Sequence, residues 1–342
     1  MKDNKKHKKA EYGILITGLI ILLAAACIIA LCAGQYSVSV PEVIKILASR
    51  FVNVTKTWSN TAEGVVFTLR LPRIIGAVLV GSALSLSGAA YQGVFKNPLV
   101  APDLLGVSSG ACVGASVAIL LHLNSFGVQA MAFVAGILAV GLTLFIPRLI
   151  KNTNMTMLVL SGIIVKGIMD SVMGIIKYVA DPETELQSIT YWQLGSLTKV
   201  LPKDLFTVGP VIVAASVIIF LLRWRINILS LGDREAKTLG VSVTVVRNFI
   251  IICATLLTAS AVCISGTIGW IGLVIPHFAR MPGPDNTKVI PSSILMGAIF
   301  MVVIDTLARA LTSVELPLSI LTGIIGAPFY IIILARQRMK LS

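Results

Sequence analysis

Lys166 and Asp170 are opposite charges four positions apart, on one face of any helix that spans the apolar run 155–179. Charge inside hydrocarbon is costly unless it is paired or hydrated. The pair therefore reads in two ways. It either lines a hydrated pathway, where a polar solute would touch it, or forms an ion pair closed between packed helices. Other chemistry-bearing side chains are dispersed. His7, His122 and His277 are scattered along the sequence, and Cys27, Cys32, Cys112, Cys253 and Cys263 lie singly in apolar tracts with no CxxC pair and no His nearby at ligand spacing. The cysteines read as small packing residues, and neither a metal site nor a cofactor is expected. No span holds a catalytic pairing of His, carboxylate and nucleophile, which argues against an intramembrane enzyme. The sequence has no G-x-x-x-x-G-K-[ST] loop to hydrolyse ATP by itself, and no chain of buried carboxylates of the kind a proton pump needs.

The elements around these residues must be membrane helices. With 56% hydrophobic and 13% charged residues over 342 positions, and a mean hydropathy of +0.93, the chain cannot clothe itself in a water-facing surface. Residues 65–142 run almost unbroken as small and apolar residues, interrupted by Lys96-Asn97-Pro98 and Pro102-Asp103. In hydrocarbon every backbone polar group must be bonded within its segment, so such tracts predict an all-α polytopic bundle. Spans are expected near 13–34, 65–91, 99–122, 127–147, 155–179, 207–222, 243–264, 266–280, 291–309 and 317–335, as one domain over 13–335. A basic tail 1–12 precedes it and a second basic tail, 336–342, follows it. The first tract is too long for a signal-peptide core and predicts a retained anchor. The formal net charge of +13 sits in short clusters between tracts, which fits a membrane surface and excludes nucleic acid as a partner. Those clusters fall on one face, so the positive-inside rule makes it cytoplasmic, with both termini on it. Spacings such as Gly106-xxx-Gly110-xxx-Gly114 predict close helix packing.

With no fuel site of its own, the chain needs energy from a partner, and the hydrophilic loop 223–245 is the place for one. Its core, 229–241, reads as a short amphipathic helix that exposes Arg234 and Glu235 and ends at Leu239-Gly240.

The sequence resembles the permease subunits of ATP-binding-cassette importers for iron-siderophores, haem and cobalamin. The resemblance is carried over nearly the whole chain by Leu69-Arg-Leu-Pro-Arg73, Gly88 to Gly93 leading to Asn97-Pro-Leu99, and Leu104-Leu-Gly-Val-Ser-Ser-Gly110. It continues in Leu231-Gly with Glu235-Ala and Leu239-Gly, Gly266-Thr-Ile-Gly-Trp-Ile-Gly-Leu-Val-Ile-Pro-His277 with Ala279-Arg280, Asp305-Thr-Leu-Ala-Arg309, and Glu315-Leu-Pro317 with Gly326-Ala-Pro328. It implies a ten-helix subunit pairing with a second permease, as homo- or heterodimer, with two cytoplasmic ATPases and with an extracellular substrate-binding lipoprotein. Leu231, Gly232, Arg234, Glu235, Ala236, Leu239 and Gly240 would then form the coupling helix seated in the ATPase.

Three arginines break the charge rule. Arg70, Arg73 and Arg309 stand at outer ends of spans, where relatives present arginine to acidic residues of the binding protein. The competing reading makes them interface anchors or internal partners, Arg309 pairing with Asp305 at i,i+4. Asn286 stands where relatives have His, in a cytoplasmic turn near the ATPase face that is expected to tune partner choice. The resemblance implies a non-enzymatic translocation subunit for a ferric siderophore, or a haem or cobalamin chelate. The contrasting class is an ion-coupled secondary carrier that uses Lys166 and Asp170.

Overall fold

Gly81, Gly88 and Gly93 alternate with Ser82, Ser85 and Ser87 in the tract 71–95. Small residues admit a neighbouring backbone, and hydroxyls bond its carbonyls. In the computed structural model, which describes residues 2–152, 154–312 and 314–339, the chain folds around this tract. Among the described residues it is helical with no strand. In order come α1 (Lys2–Cys32), α2 (Val40–Ala48), α3 (Asn60–Gly64), a π-helical turn (Val65–Arg70) and α4 (Leu71–Phe95). After a 3-10 turn (Pro102–Leu105) follow α5 (Val107–Leu120), α6 (Ser125–Leu149), α7 (Met155–Val179), α8 (Glu185–Leu194) and α9 (Pro202–Leu231). The chain closes with α10 (Asp233–Thr238), α11 (Val243–Ser265), α12 (Ile271–Ala279), α13 (Asn286–Ala310) and α14 (Leu318–Met339).

α4 is the buried axis. A Cβ on Gly81 would stand 2.2 Å from the Gly297 carbonyl of α13, and one on Gly88 would stand 1.8 Å from that of Gly272 in α12. Ser85 donates to Ser293 O at 2.8 Å, and Ser87 to Ala254 O at 3.0 Å, tying α4 to α13 and α11. Gly110 and Gly114 of the predicted small-residue row pack in the same way against Ala135 O and Met131 O of α6. By contrast α1, α7 and α9 are largely exposed along their lengths. Cys112, Cys253 and Cys263 are buried in the packing.

Among the described residues seven helices are long and apolar enough to cross a membrane. The shorter α5, α12 and α14 stand at the places of the other three expected spans. Beyond shifts of a few residues at other ends, four segments differ from expectation. The tail before residue 13 continues the first span as helix, so α1 begins at Lys2; residues 1 and 340–342 lie outside the described residues. The span at 99–122 is a 3-10 turn followed by a short helix, because Pro102 cannot continue a ladder and Gly106 sits at φ +80°. The span at 266–280 is irregular over 266–270 before α12 begins. Its backbone is satisfied from the side, where Ser319 Oγ donates to Thr267 O at 2.8 Å, and the end of α11 just before it is held by Ser196 N, which donates to Ser265 O at 2.8 Å. Finally, α9 runs well past 222.

Candidate functional site

The loop at 223–245 is shorter than its charges predict. Arg223 and Arg225 lie on a helix that still buries Ile226 and Leu229 completely, so α9 persists to Leu231 and the expected helix over 229–241 is broken in two. Gly232 makes the break at φ +154°, with the Glu235 carboxylate folded back over its missing side chain. α10 follows, and Gly240 at φ +76° ends it. Only Ala236 is buried here, holding α10 on the bundle. Leu231, Arg234, Glu235, Leu239 and Gly240 are all exposed, on a projection whose charged and apolar side chains face outward together.

Below the projection Asp233 receives hydrogen bonds from Arg247 at 2.7 Å and from Lys96 at 3.0 Å. The Arg247 bond, against the opposing effect of burial and with help from Lys96, holds the Asp233 carboxyl below its ordinary value. A cleft of about 300 Å³ opens beside this cluster, between the end of α4 and the first turn of α7. Asn286 is also at this end. It is 3% exposed, and its backbone N–H donates to Asn227 Oδ1 at 2.9 Å. It therefore joins α13 to α9 and does not face outward to a partner.

Lys166 does not pair with Asp170. Its ammonium meets Asp103 Oδ2 at 3.3 Å, while the other Asp103 oxygen accepts from Ser108 N at 3.0 Å and caps α5. Sequence reasoning missed Asp103 as the partner. The signal was the Pro102-Asp103 break, which turns the chain back into the bundle. Asp170 is exposed on α7 beside Gly167, Ser171 and Gly174, a polar stripe near the middle of an apolar span.

At the far end, Arg70, Arg73 and Arg309 converge and are nearly buried, at 5%, 8% and 8% exposed. The π-helical turn delivers Arg70, which donates to Leu31 O at 2.6 Å and to Tyr36 O. Arg73 Nε bonds Asp305 at 2.8 Å, and its Nη1 bonds Glu315 at 2.8 Å. Arg309 donates to Ala33 O at 2.7 Å and to Ala30 O, and lies 3.8 Å from Asp305. Gly34 makes room for the cluster, since a Cβ there would meet Arg70 Nη2 at 2.8 Å. These arginines hold the ends of α1, α4 and α13 together, as the internal-partner reading has it. Three guanidinium groups against two carboxylates leave the cluster net positive.

A model of the FecCD transport family matches residues 22–336. The molybdate import system permease protein MolB of Haemophilus influenzae is 37% identical over 322 residues, covering 94% of this chain and 95% of the relative. A probable iron chelatin transport system permease protein of Helicobacter pylori is 41% identical over 275 residues, covering 80% and 83%. The solved structure described as an inward-facing conformation of a metal-chelate type ABC transporter superposes with a TM-score of 0.84 at 34% identity, over 95% of this chain and 99% of that one.

Proposed function

Because the chain belongs to the FecCD transport family and is a permease subunit of an ATP-binding-cassette importer, a transport component and not an enzyme, we propose that it moves a ferric siderophore across the bacterial inner membrane. Family membership leaves the cargo open among metal chelates and related solutes. The iron chelatin permease of Helicobacter pylori supports a siderophore. A metal oxyanion is the second reading, favoured by the similarity to MolB and by the exposed Lys166 ammonium within α7, a counter-ion suited to a small anion. Haem and cobalamin chelates fall within the same resemblance.

The observation that carries the mechanism is the α10 projection. Gly232 and Gly240 bracket a short rigid helix with one buried residue and exposed Leu231, Arg234, Glu235 and Leu239. Such a lever converts closure of two cytoplasmic ATPases into motion of the bundle. A second permease, identical or not, covers the polar stripe of α7, so that Lys166 and Asp170 line a hydrated route. At the opposite end the net positive arginine cluster steers an acidic surface of an extracellular binding protein, acting through its field, since its forks already have partners. We also assign both termini to the cytoplasmic side, with α10, on the positive-inside rule.

The test is purification of the tagged chain from its native membrane in mild detergent, with mass spectrometry of what stays bound. A nucleotide-binding ATPase is expected, and a binding protein recovered with it identifies the cargo through its own ligand. Glu235→Arg is expected to lose uptake while the folded subunit persists. A chain that emerges alone, or a Glu235→Arg variant with normal uptake, overturns the coupling role of α10.

A further inference from the structure

We infer that the connector 96–106 carries motion from α10 to α7, with Lys96 and Lys166 as the positioning residues at its two ends; the inference rests on α10 being the coupling element. Lys96, the first residue of the connector, bonds Asp233 of α10 at 3.0 Å. Asp103, near its other end, bonds Lys166 of α7 at 3.3 Å. Between these points and just past Asp103 the connector is gripped. Gln92 Nε2 donates to Val100 O at 3.2 Å, and Thr143 Oγ1 of α6 donates to Leu105 O at 3.0 Å. A Cβ on Gly162 of α7 would stand 2.2 Å from Leu104 O, and one on Gly272 of α12 would stand 2.2 Å from Pro102 Cγ.

Backbone wedged this closely on two sides cannot absorb a displacement, because packed interiors repack between discrete arrangements and do not compress. Exposed ion pairs add little stability. These two pairs are better accounted for by what they join, since they tie a cytoplasmic lever at one end and a pathway helix at the other to one stiff segment. The cleft of about 300 Å³ bounded by Lys96, Asn154, Met155, Asp233 and Arg247 leaves α10 room to move against the start of α7.

The test uses the whole transporter, purified with its ATPase in nanodiscs. The permease carries Ser171→Cys on the exposed stripe of α7, with the native cysteines replaced. The probe is the rate of labelling by fluorescein maleimide, without nucleotide and after trapping with ATP and vanadate. Trapping is expected to change the rate several-fold in the parent. Lys96→Met and Lys166→Met, still co-purifying with the ATPase, are expected to abolish the change, and Lys96→Arg and Lys166→Arg to restore it. Lys96→Gln and Lys166→Gln replace any Met variant that does not assemble. Glu235→Arg, which tests the lever itself, is expected to abolish the change too. If Glu235→Arg abolishes it while both neutral lysine variants keep it, the lever stands and the connector route is overturned. A response retained in Glu235→Arg, or absent from the parent, overturns the lever and the route together.

Discussion

Arg73 shows what a single side chain can settle in this molecule. Its guanidinium is divided between Asp305, which is fully enclosed, and Glu315, which is partly exposed. Removing Arg73 leaves Glu315 without its guanidinium and the enclosed Asp305 with only Arg309, 3.8 Å away. Arg73→Met is therefore expected to destabilise the subunit by about 3–5 kcal/mol, while Arg73→Met with Asp305→Leu costs less than Arg73→Met alone. Thermal unfolding in detergent measures both. Glu315 adds a pH dependence. Burial pushes its carboxyl up, but hydrogen bonds from Arg73 and Thr198 outweigh burial and hold it below its ordinary value of 4.5. A carboxyl depressed in the folded state contributes stability that is present above the ordinary value and disappears as pH falls through the folded one. The unfolding temperature is expected to drop on acidification below about pH 4.5, and Glu315→Gln to flatten that drop. That Arg70, Arg73 and Arg309 were special was legible from their breach of the charge rule. Their inward direction was not, because it depends on Tyr36, Ala33 and Glu315, which are far off in sequence.

Helices in this bundle are positioned by where backbone meets backbone, and the glycines sort accordingly. Gly88→Val is expected to prevent accumulation of the folded subunit, because the new side chain would enter the Gly272 carbonyl of α12. Gly141→Ala, in α6 with open space around it, is expected to be tolerated and to stabilise by up to about 1 kcal/mol. Membrane abundance and unfolding temperature of the two variants test the contrast. At α10 the relevant property is backbone hand. Gly240 stands at φ +76°, so Gly240→Val imposes roughly 1–2 kcal/mol of strain and is expected to misplace the helix, lowering uptake while the subunit remains folded. The seven long spans could be read from apolar length, since hydrocarbon thickness fixes it. The irregular stretches at 97–106 and 266–270 could not, because such backbone is tolerated at depth only where groups such as Thr143 of α6 and Ser319 of α14 satisfy it from other helices. The extra turns of α9 were hidden by Arg223 and Arg225, whose charges resemble a loop until Ile226 and Leu229 are seen buried.

Across the whole molecule, one exposed surface is incompatible with lipid. α7 presents Lys166, Gly167, Asp170, Ser171 and Gly174 on an exposed stripe near the middle of a 25-residue apolar span. Each charge at the centre of a bilayer costs about 2.5–3.5 kcal/mol on insertion scales, so a lipid-facing Lys166 and Asp170 would together consume much of the stability of an ordinary fold. The ion pair with Asp103 relieves only Lys166. Asp170 needs water or a second protein, and the second permease proposed above, with a hydrated seam, would supply both. The glycines support close approach, since nothing lies within 4 Å of a Cβ at Gly167 or Gly174. Gly174→Cys, with the native cysteines replaced, is expected to be labelled by a membrane-impermeant maleimide and to form a copper-catalysed disulfide between two copies in a homodimer. In a heterodimer it is labelled but yields no self-linked pair, and native mass spectrometry then shows two different permeases. A residue that is inaccessible to the reagent and unlinked, in a subunit that still transports, would place the stripe against lipid and remove both the seam and the pathway drawn along it.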